Sequence, residues 1–251
     1  MTTLNPRPLQ CPLCTTAFSG WVVLASQDRG PMTSDLRRLP EGDDPIPRQV
    51  NGCPSCGYTG EVSAFEEHAP QADHAVPARL AGAYFSQEEL EDAHDPLIAD
   101  RPSAQDTTLA SEVQLHLRPR APEAHEDPAL RYEHHAQICR WLGDGPLREG
   151  DAWLRGAWLY GDRGEQANEE RCRARALHCY RTGVAERHWF GRREDLVVVA
   201  YLIGELHRRL GEAEEAGRWF EQAVTWSSGL QSMQELVQLA ERQRSDPRDI
   251  V

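Results

Sequence analysis

The sequence predicts an α+β chain of the segregated type, mainly α. It begins with a small zinc-ribbon-like β module, followed by a tetratricopeptide-like α-helical repeat domain. Three observations carry this expectation. Two Cys-x-x-Cys pairs lie within residues 1–65. From about Ala129 onward the apolar residues recur with a helical period. Between these parts, residues 66–128 are rich in Ala, Pro, His, Asp and Glu and read as a partly ordered, poorly packed acidic connector. The expected organisation is therefore 1–65, 66–128 and 129–251, in a chain long enough to bury a real core.

Residues 1–65 mix aromatic and β-branched residues with many Gly and Pro, the composition of short strands and turns. Cys11-Pro-Leu-Cys14 and Cys53-Pro-Ser-Cys56-Gly57-Tyr58 supply the chemistry of this module. Two residues between cysteines let one tight turn aim both thiolates at a single ion. Two such turns on facing hairpins complete a tetrahedral sulfur shell with bonds of about 2.3 Å. Cys11, Cys14, Cys53 and Cys56 are thus the candidate ligands of a structural Zn2+. The shell is all-sulfur and closed, which leaves no position for substrate. Gly57 provides conformational freedom after the second pair, where the first pair has Thr15. The intervening loop, 15–52, has 38 residues, longer than a compact ribbon uses, which points to an inserted hairpin or loop around Gly30 to Pro47. A redox Cys-x-x-Cys would need a βαβ setting that is missing here, and the spacings differ from those of ferredoxin clusters.

The connector contains Ser86-Gln-Glu-Glu89, a capping box that predicts a short helix. Prolines at 96, 102, 119, 122 and 128 punctuate the rest. Beyond it, helices are expected over 130–142, 146–161, 166–188, 193–210, 212–228 and 231–243, joined by short connections containing Gly143, Gly145, Gly164, Gly191, Gly211 and Gly229. Leu196, Val199, Ile203, Leu206 and Leu210 step by three or four residues and make one apolar stripe. Around Gly211, the small–small–large–small series Gly204, Ala216, Phe220 and Ala223 matches the contact positions of a tetratricopeptide repeat. Trp153, Tyr160, Ala176, Tyr180 and Gly183 form a looser version around Gly164. The two turns are 47 residues apart rather than the standard spacing of about 34, so the repeats are irregular. An ordinary bundle with small residues at its crossings is the competing arrangement.

In a repeat register, the first helix of each hairpin lines a concave surface. Trp158, Tyr201, Glu205, Arg208 and Arg209, with Leu154 and Asp162, would project there as a partner-binding groove. Arginines in such a groove can fork a carboxylate or phosphate. Solvated arginines near a helix C-terminus are the plainer reading. Cys139, Cys172 and Cys179 have helical spacing to each other or to His135 and His178, and read as buried core cysteines rather than a second metal site. His134 and His135 read as solvated helix residues.

The formal charge is −13, and every one of the 27 basic residues is arginine. The absence of lysine excludes a Walker A loop, a kinase lysine and a Schiff base to pyridoxal phosphate. Residues 71–150 hold 7 arginines against 15 acids, so the acidity belongs mostly to the middle. Residues 1–70 hold 5 arginines and 8 acids, a poor footprint for nucleic acid. Met1 to Gln10 contains two prolines and no apolar run, unlike a secretory signal. The longest apolar stretch, Leu196 to Ile203, is far shorter than the roughly 20 residues of a membrane helix, so no membrane association is expected. A reducing, cytoplasmic setting fits paired cysteines used for metal.

Cys-Pro-Leu-Cys at 11–14, Cys-Pro-Ser-Cys-Gly-Tyr at 53–58, Leu154 to Tyr160, Tyr201 to Gly211 and Glu215 to Phe220 together resemble a bacterial family known as domain of unknown function 2225. The resemblance covers both ends of the chain and is most specific in the C-terminal motif. Thr15 and the polar, proline-rich loop before Cys53 depart from it. The resemblance implies a zinc-ribbon-like N-terminus and tetratricopeptide-like helices, and implies no activity. The expected function is a non-enzymatic adaptor that binds another protein through its helices. The alternative is a nucleic-acid-associated regulatory protein that makes contact through the ribbon. No nucleotide loop, open metal shell or nucleophile–base pair points to an enzyme.

Overall fold

The structure, a computed structural model, describes residues 2–26, 30–66, 69–82, 107–186 and 191–251. It is mainly helical, with small antiparallel sheets towards the N-terminus. Strands β1 (Thr3–Gln10) and β2 (Ala17–Ala25) pair from Thr3↔Ala25 to Gln10↔Ala17, so residues 11–16 form the turn between them. Strands β3 (Asn51–Gly52) and β4 (Thr59–Gly60) pair through Gly52↔Thr59, which leaves 53–58 as a turn of the same length. The Asn51 side chain joins the two hairpins. Its Oδ1 accepts from the Trp21 amide at 2.7 Å and its Nδ2 donates to the Trp21 carbonyl at 3.0 Å. Between the hairpins, an isolated bridge Met32↔Arg38 closes a small inserted turn, and helix α1 (Ile46–Gln49) leads into β3.

The stretch from 107 to 126 is more firmly packed than its composition suggests. Strand β6 (Thr107–Thr108) pairs with β5 (Ala75–Val76), and α2 (Leu109–Glu112) continues through a π-type turn to Leu117. Leu109, Val113 and Leu117 fall four residues apart and are all buried. Three of the prolines expected to punctuate the connector start helices instead, and Pro96 and Pro102 lie outside the described residues. Pro119 opens a short 3₁₀ turn, Pro122 opens α3 (Ala121–Glu126) and Pro128 opens α4 (Pro128–Leu142). Proline is compatible with the first turn because the amide hydrogen it lacks would have no partner there. The predicted helix at Ser86–Glu89 lies outside the described residues.

Helices α4, α5 (Pro146–Asp162), α6 (Gln166–Ala185), α7 (Arg193–Arg209), α8 (Ala213–Trp226) and α9 (Gln234–Ser245) follow the expected series within a few residues. Asp127 caps α4 by accepting from the Ala129 amide at 2.8 Å. Gly143, at φ 70°, ends it with the Asp144 amide bonded back to the Cys139 carbonyl. Consecutive helices pack in pairs, α4 on α5, α5 on α6 and α7 on α8. Glycines sit where large side chains cross, Gly150 against Tyr180, Gly183 against Leu147 and Gly204 against Phe220.

Two apolar clusters fill the helical part, one around Trp153, Tyr160, Tyr180 and Ile203, the other around Tyr201, Phe220 and Leu239. A third is shared between the parts. It joins Cys11, Cys53, Cys56, Tyr58 and Phe65 to Leu109, Val113 and Leu117, and to Ile138 and Trp141 of α4. The cysteine turns therefore stand on the first long helix rather than apart from it. Among the described residues no helix is long and apolar enough to cross a membrane.

The glycine crossings give a paired prediction. A Cβ at Gly204 would come within 2.8 Å of the Phe220 ring, whereas one at Gly217 would meet nothing. Gly204→Ala should lower stability by about 1–3 kcal/mol through overpacking. Gly217→Ala should raise it by about 0.5–1 kcal/mol through helix propensity. Urea midpoints at constant slope measure both, and equal shifts would contradict the crossing geometry.

Candidate metal centre and the covered helical face

The two cysteine turns repeat one backbone pattern. In the first, the Cys11 amide donates to the Thr16 carbonyl and the Thr15 amide to the Cys11 carbonyl, each at 2.9 Å. In the second, Cys53 bonds to Tyr58 at 2.8 Å and Gly57 to Cys53 at 3.0 Å in the same sense. Each turn presents its pair of sulfurs to one side, and the four Sγ atoms lie within 4.8 Å of one another. Cys11 Sγ is 3.6 Å from Cys56 Sγ, and Cys14 Sγ is 3.5 Å from Cys53 Sγ. A tetrahedron with metal–sulfur bonds of about 2.3 Å has edges of about 3.8 Å. Disulfides would bring the sulfurs to about 2.05 Å. The spacing therefore fits four ligands around one ion.

Charge points the same way. Hydrogen bonds from Cys11 and Cys56 hold the Cys53 thiol far below its ordinary range. Cys11 is pushed up chiefly by its hydrogen bond to Cys53, and Cys56 by hydrogen bonds to Cys11 and Cys53, with burial adding to both. Four thiolates can coexist here only around a cation. Thr15 holds φ 60° at the position where Gly57 holds φ 81°. The left-handed conformation costs a side-chain-bearing residue about 1–2 kcal/mol, so the Gly-to-Thr departure in the sequence is a local strain. At Gly57 a side chain is also excluded, since a Cβ would come within 2.8 Å of the Leu117 carbonyl oxygen.

Helices brace the second turn from behind. His134 of α4 lies with Nδ1 3.1 Å from the Gly57 carbonyl, and His125 of α3 with Nδ1 2.8 Å from the Gly52 carbonyl. A carbonyl only accepts, so both rings donate from Nδ1. His134 is buried rather than solvated, and burial pushes it down to about 4. His135 is partly buried, its Nε2 3.7 Å from Cys139 Sγ, and its ring's burial pushes it down to about 4. Histidines beside Glu133 in a polar stretch read as surface residues until one knows that the cysteine turns cover that face. Cys139, Cys172 and Cys179 are buried core residues, and among the described residues only the four N-terminal cysteines form a candidate metal cluster.

The structure also brings together Trp158, Tyr201, Glu205, Arg208 and Arg209, but the face they form is covered by the chain itself. The turn Thr33–Arg37 sits on it, with Leu36 at φ 65°. Glu205 is fully buried and takes hydrogen bonds from Ser34 Oγ at 2.6 Å, Arg208 Nε at 2.9 Å and Arg209 Nε at 2.7 Å. Tyr201 donates to the Ser34 carbonyl at 2.6 Å. Arg37 forks Asp162 at 2.8 and 2.7 Å, reaches Asp44 at 2.7 Å, and lies with Cζ 5.8 Å from the Trp158 ring centroid. Asp249 accepts from Arg208 at 2.6 Å, and the Val251 amide bonds to the Met32 carbonyl at 2.9 Å. Nothing in the spacing of residues 30–40 shows that they would fold back onto α5 and α7. The polar run Thr33-Ser34-Asp35 and the arginine at 37 have complementary partners more than a hundred residues away.

Removal of the metal from the purified protein should cost hydrogen-exchange protection in residues 9–20 and 51–65. Because the cluster shares its core with Leu109, Val113 and Leu117, protection at 109–117 should fall with it while α7 and α8 keep theirs. Unchanged protection at 51–60 after verified metal loss would contradict the site. Thr15→Asn should raise stability by about 0.5–1 kcal/mol by relieving the left-handed strain; a lower thermal midpoint would contradict that reading.

No curated protein and no solved structure matches the chain. A family model does match residues 131–246, a segment that begins after the cysteine turns and runs from α4 to the end of α9. Over those residues the chain is similar to the family described as an uncharacterized protein conserved in bacteria (DUF2225).

Proposed function

We propose that the chain is a non-enzymatic, zinc-stabilised adaptor of the bacterial cytoplasm that binds another protein through its helices. Thiolate-only ligation suits a closed structural Zn2+ site in a zinc-ribbon-like module, which rigidifies rather than catalyses. The pairs Gly204–Phe220 and Gly150–Tyr180 support a tetratricopeptide-like reading of the helices. The observation that carries the binding role is the grip of the face formed by α5 and α7 on residues 33–37. Its two arginines, buried glutamate and tyrosine hold a polar turn by forked, charge-assisted bonds, the chemistry by which such a face would hold a partner's turn. Its partner then competes with the chain's own turn, which acts as an intramolecular ligand.

Capture from a bacterial lysate with immobilised, metal-loaded full chain tests this, using the wild type and Arg37→Ala. Losing the Arg37 fork to Asp162 weakens the turn's hold by about 1.4 kcal/mol or more, so the same protein partner should bind about tenfold tighter to the variant. A synthetic peptide spanning residues 30–40 should displace it. Recovery of no partner above background with either form, or of a partner lost on nuclease treatment, would overturn the reading; the second outcome would favour nucleic-acid association instead.

A further inference from the structure

A cleft of about 230 Å³ opens at the seam between the cysteine hairpins and the helices. Its walls include Trp21 of β2, Arg48 of α1, Asn51, and His125, Glu126 and Arg131 from α3 and α4. Arg48 lies with its Cζ 3.9 Å from the Trp21 ring centroid. Stacking on an indole holds a guanidinium while leaving its in-plane N–H groups free to donate. Those donors have no hydrogen-bond or ion-pair partner among the described residues. Arg131, behind it, is buried and donates only to backbone carbonyls, those of Ala124, Pro47, Val50 and His125. Carbonyls satisfy its donors without cancelling its charge. The nearby Arg48 charge, after burial, is among the influences that lower the Arg131 pKa, so the two cations oppose each other across the seam.

Such a pairing stands out in a chain of net charge −13. Arg37, Arg163, Arg171, Arg208 and Arg209 all fork or pair with carboxylates. Among the described residues that line the cleft the one acid is Glu126, which is exposed and makes no ion pair with either arginine. The volume is below the roughly 300 Å³ at which pockets for whole drug-sized ligands begin, so the cleft suits one small charged group. We propose that it is an oxyanion site, where Arg48 forks a phosphate or carboxylate group on its Trp21 platform and Arg131 supplies positive charge from behind. This site is separate from the face of α5 and α7 and does not depend on the adaptor reading.

Calorimetric titration of the metal-loaded full chain with inorganic phosphate and, separately, with acetate, at constant ionic strength in chloride, tests the proposal. Saturable binding of at least one is expected, and the arm that responds identifies the group. Arg48→Gln should weaken it about tenfold or more. Trp21→Leu, which keeps the charge and removes the platform, should weaken it several-fold. Arg7→Gln, on an exposed arginine paired with Glu66, should leave it unchanged. Absence of saturation with both anions, or binding as tight in Arg48→Gln as in the wild type, would overturn the site. Thermal midpoints near the wild-type value in the variants establish that any loss is local.

Discussion

Two six-residue turns must bring four sulfurs to one point, and much of the N-terminal architecture follows from that requirement. The cysteines lie on hairpins whose own ladders are short, especially β3 and β4 with two residues each. Hairpins of that size have little independent stability in water. An ion held by all four sulfurs would close both turns at once, and its binding energy, of order 10 kcal/mol for structural zinc, would become folding energy for the module. The two turns meet at the four sulfurs, so the chain between them leaves and returns as one closed loop.

That closed loop reaches the helices. Its tip, Thr33–Arg37, lies on α5 and α7, while its return arm delivers Arg48 and Asn51 to the seam beside α4. On the helical side, Ile138 and Trp141 continue the cysteine core and His134 braces the second turn. The polar contacts are of the costly kind. Glu205 and Arg37 are removed from water, and each is held there by several charge-assisted partners. Losing one partner would strand the other, so this interface is specific in register and intolerant of substitution.

Patterns of short range were legible in the sequence. The Cys-x-x-Cys spacing picked out the four cysteines that cluster, and helical periodicity placed α4 to α9 with their glycine turns. Even the small–large crossings at Gly204 and Phe220 could be read from offsets around Gly211. What escaped depends on partners distant along the chain. Leu109, Val113 and Leu117 carry a four-residue spacing, yet the acids and prolines around them mask it, because Pro119, Pro122 and Pro128 read locally as breaks rather than as first-turn residues. His134 looked solvated because the hairpin that covers it lies nearly eighty residues earlier. Tyr201, Glu205, Arg208 and Arg209 share a helix face by their spacing, but no local pattern reveals that Ser34 completes the group.

X-ray absorption at the zinc edge of the purified protein reads the ligand shell at the four cysteines. One zinc per chain is expected, with four sulfur ligands at about 2.3 Å and no nitrogen or oxygen coordinated. A shell with fewer than four sulfurs, or metal-free protein whose N-terminal cysteines are recovered as disulfides, would contradict it.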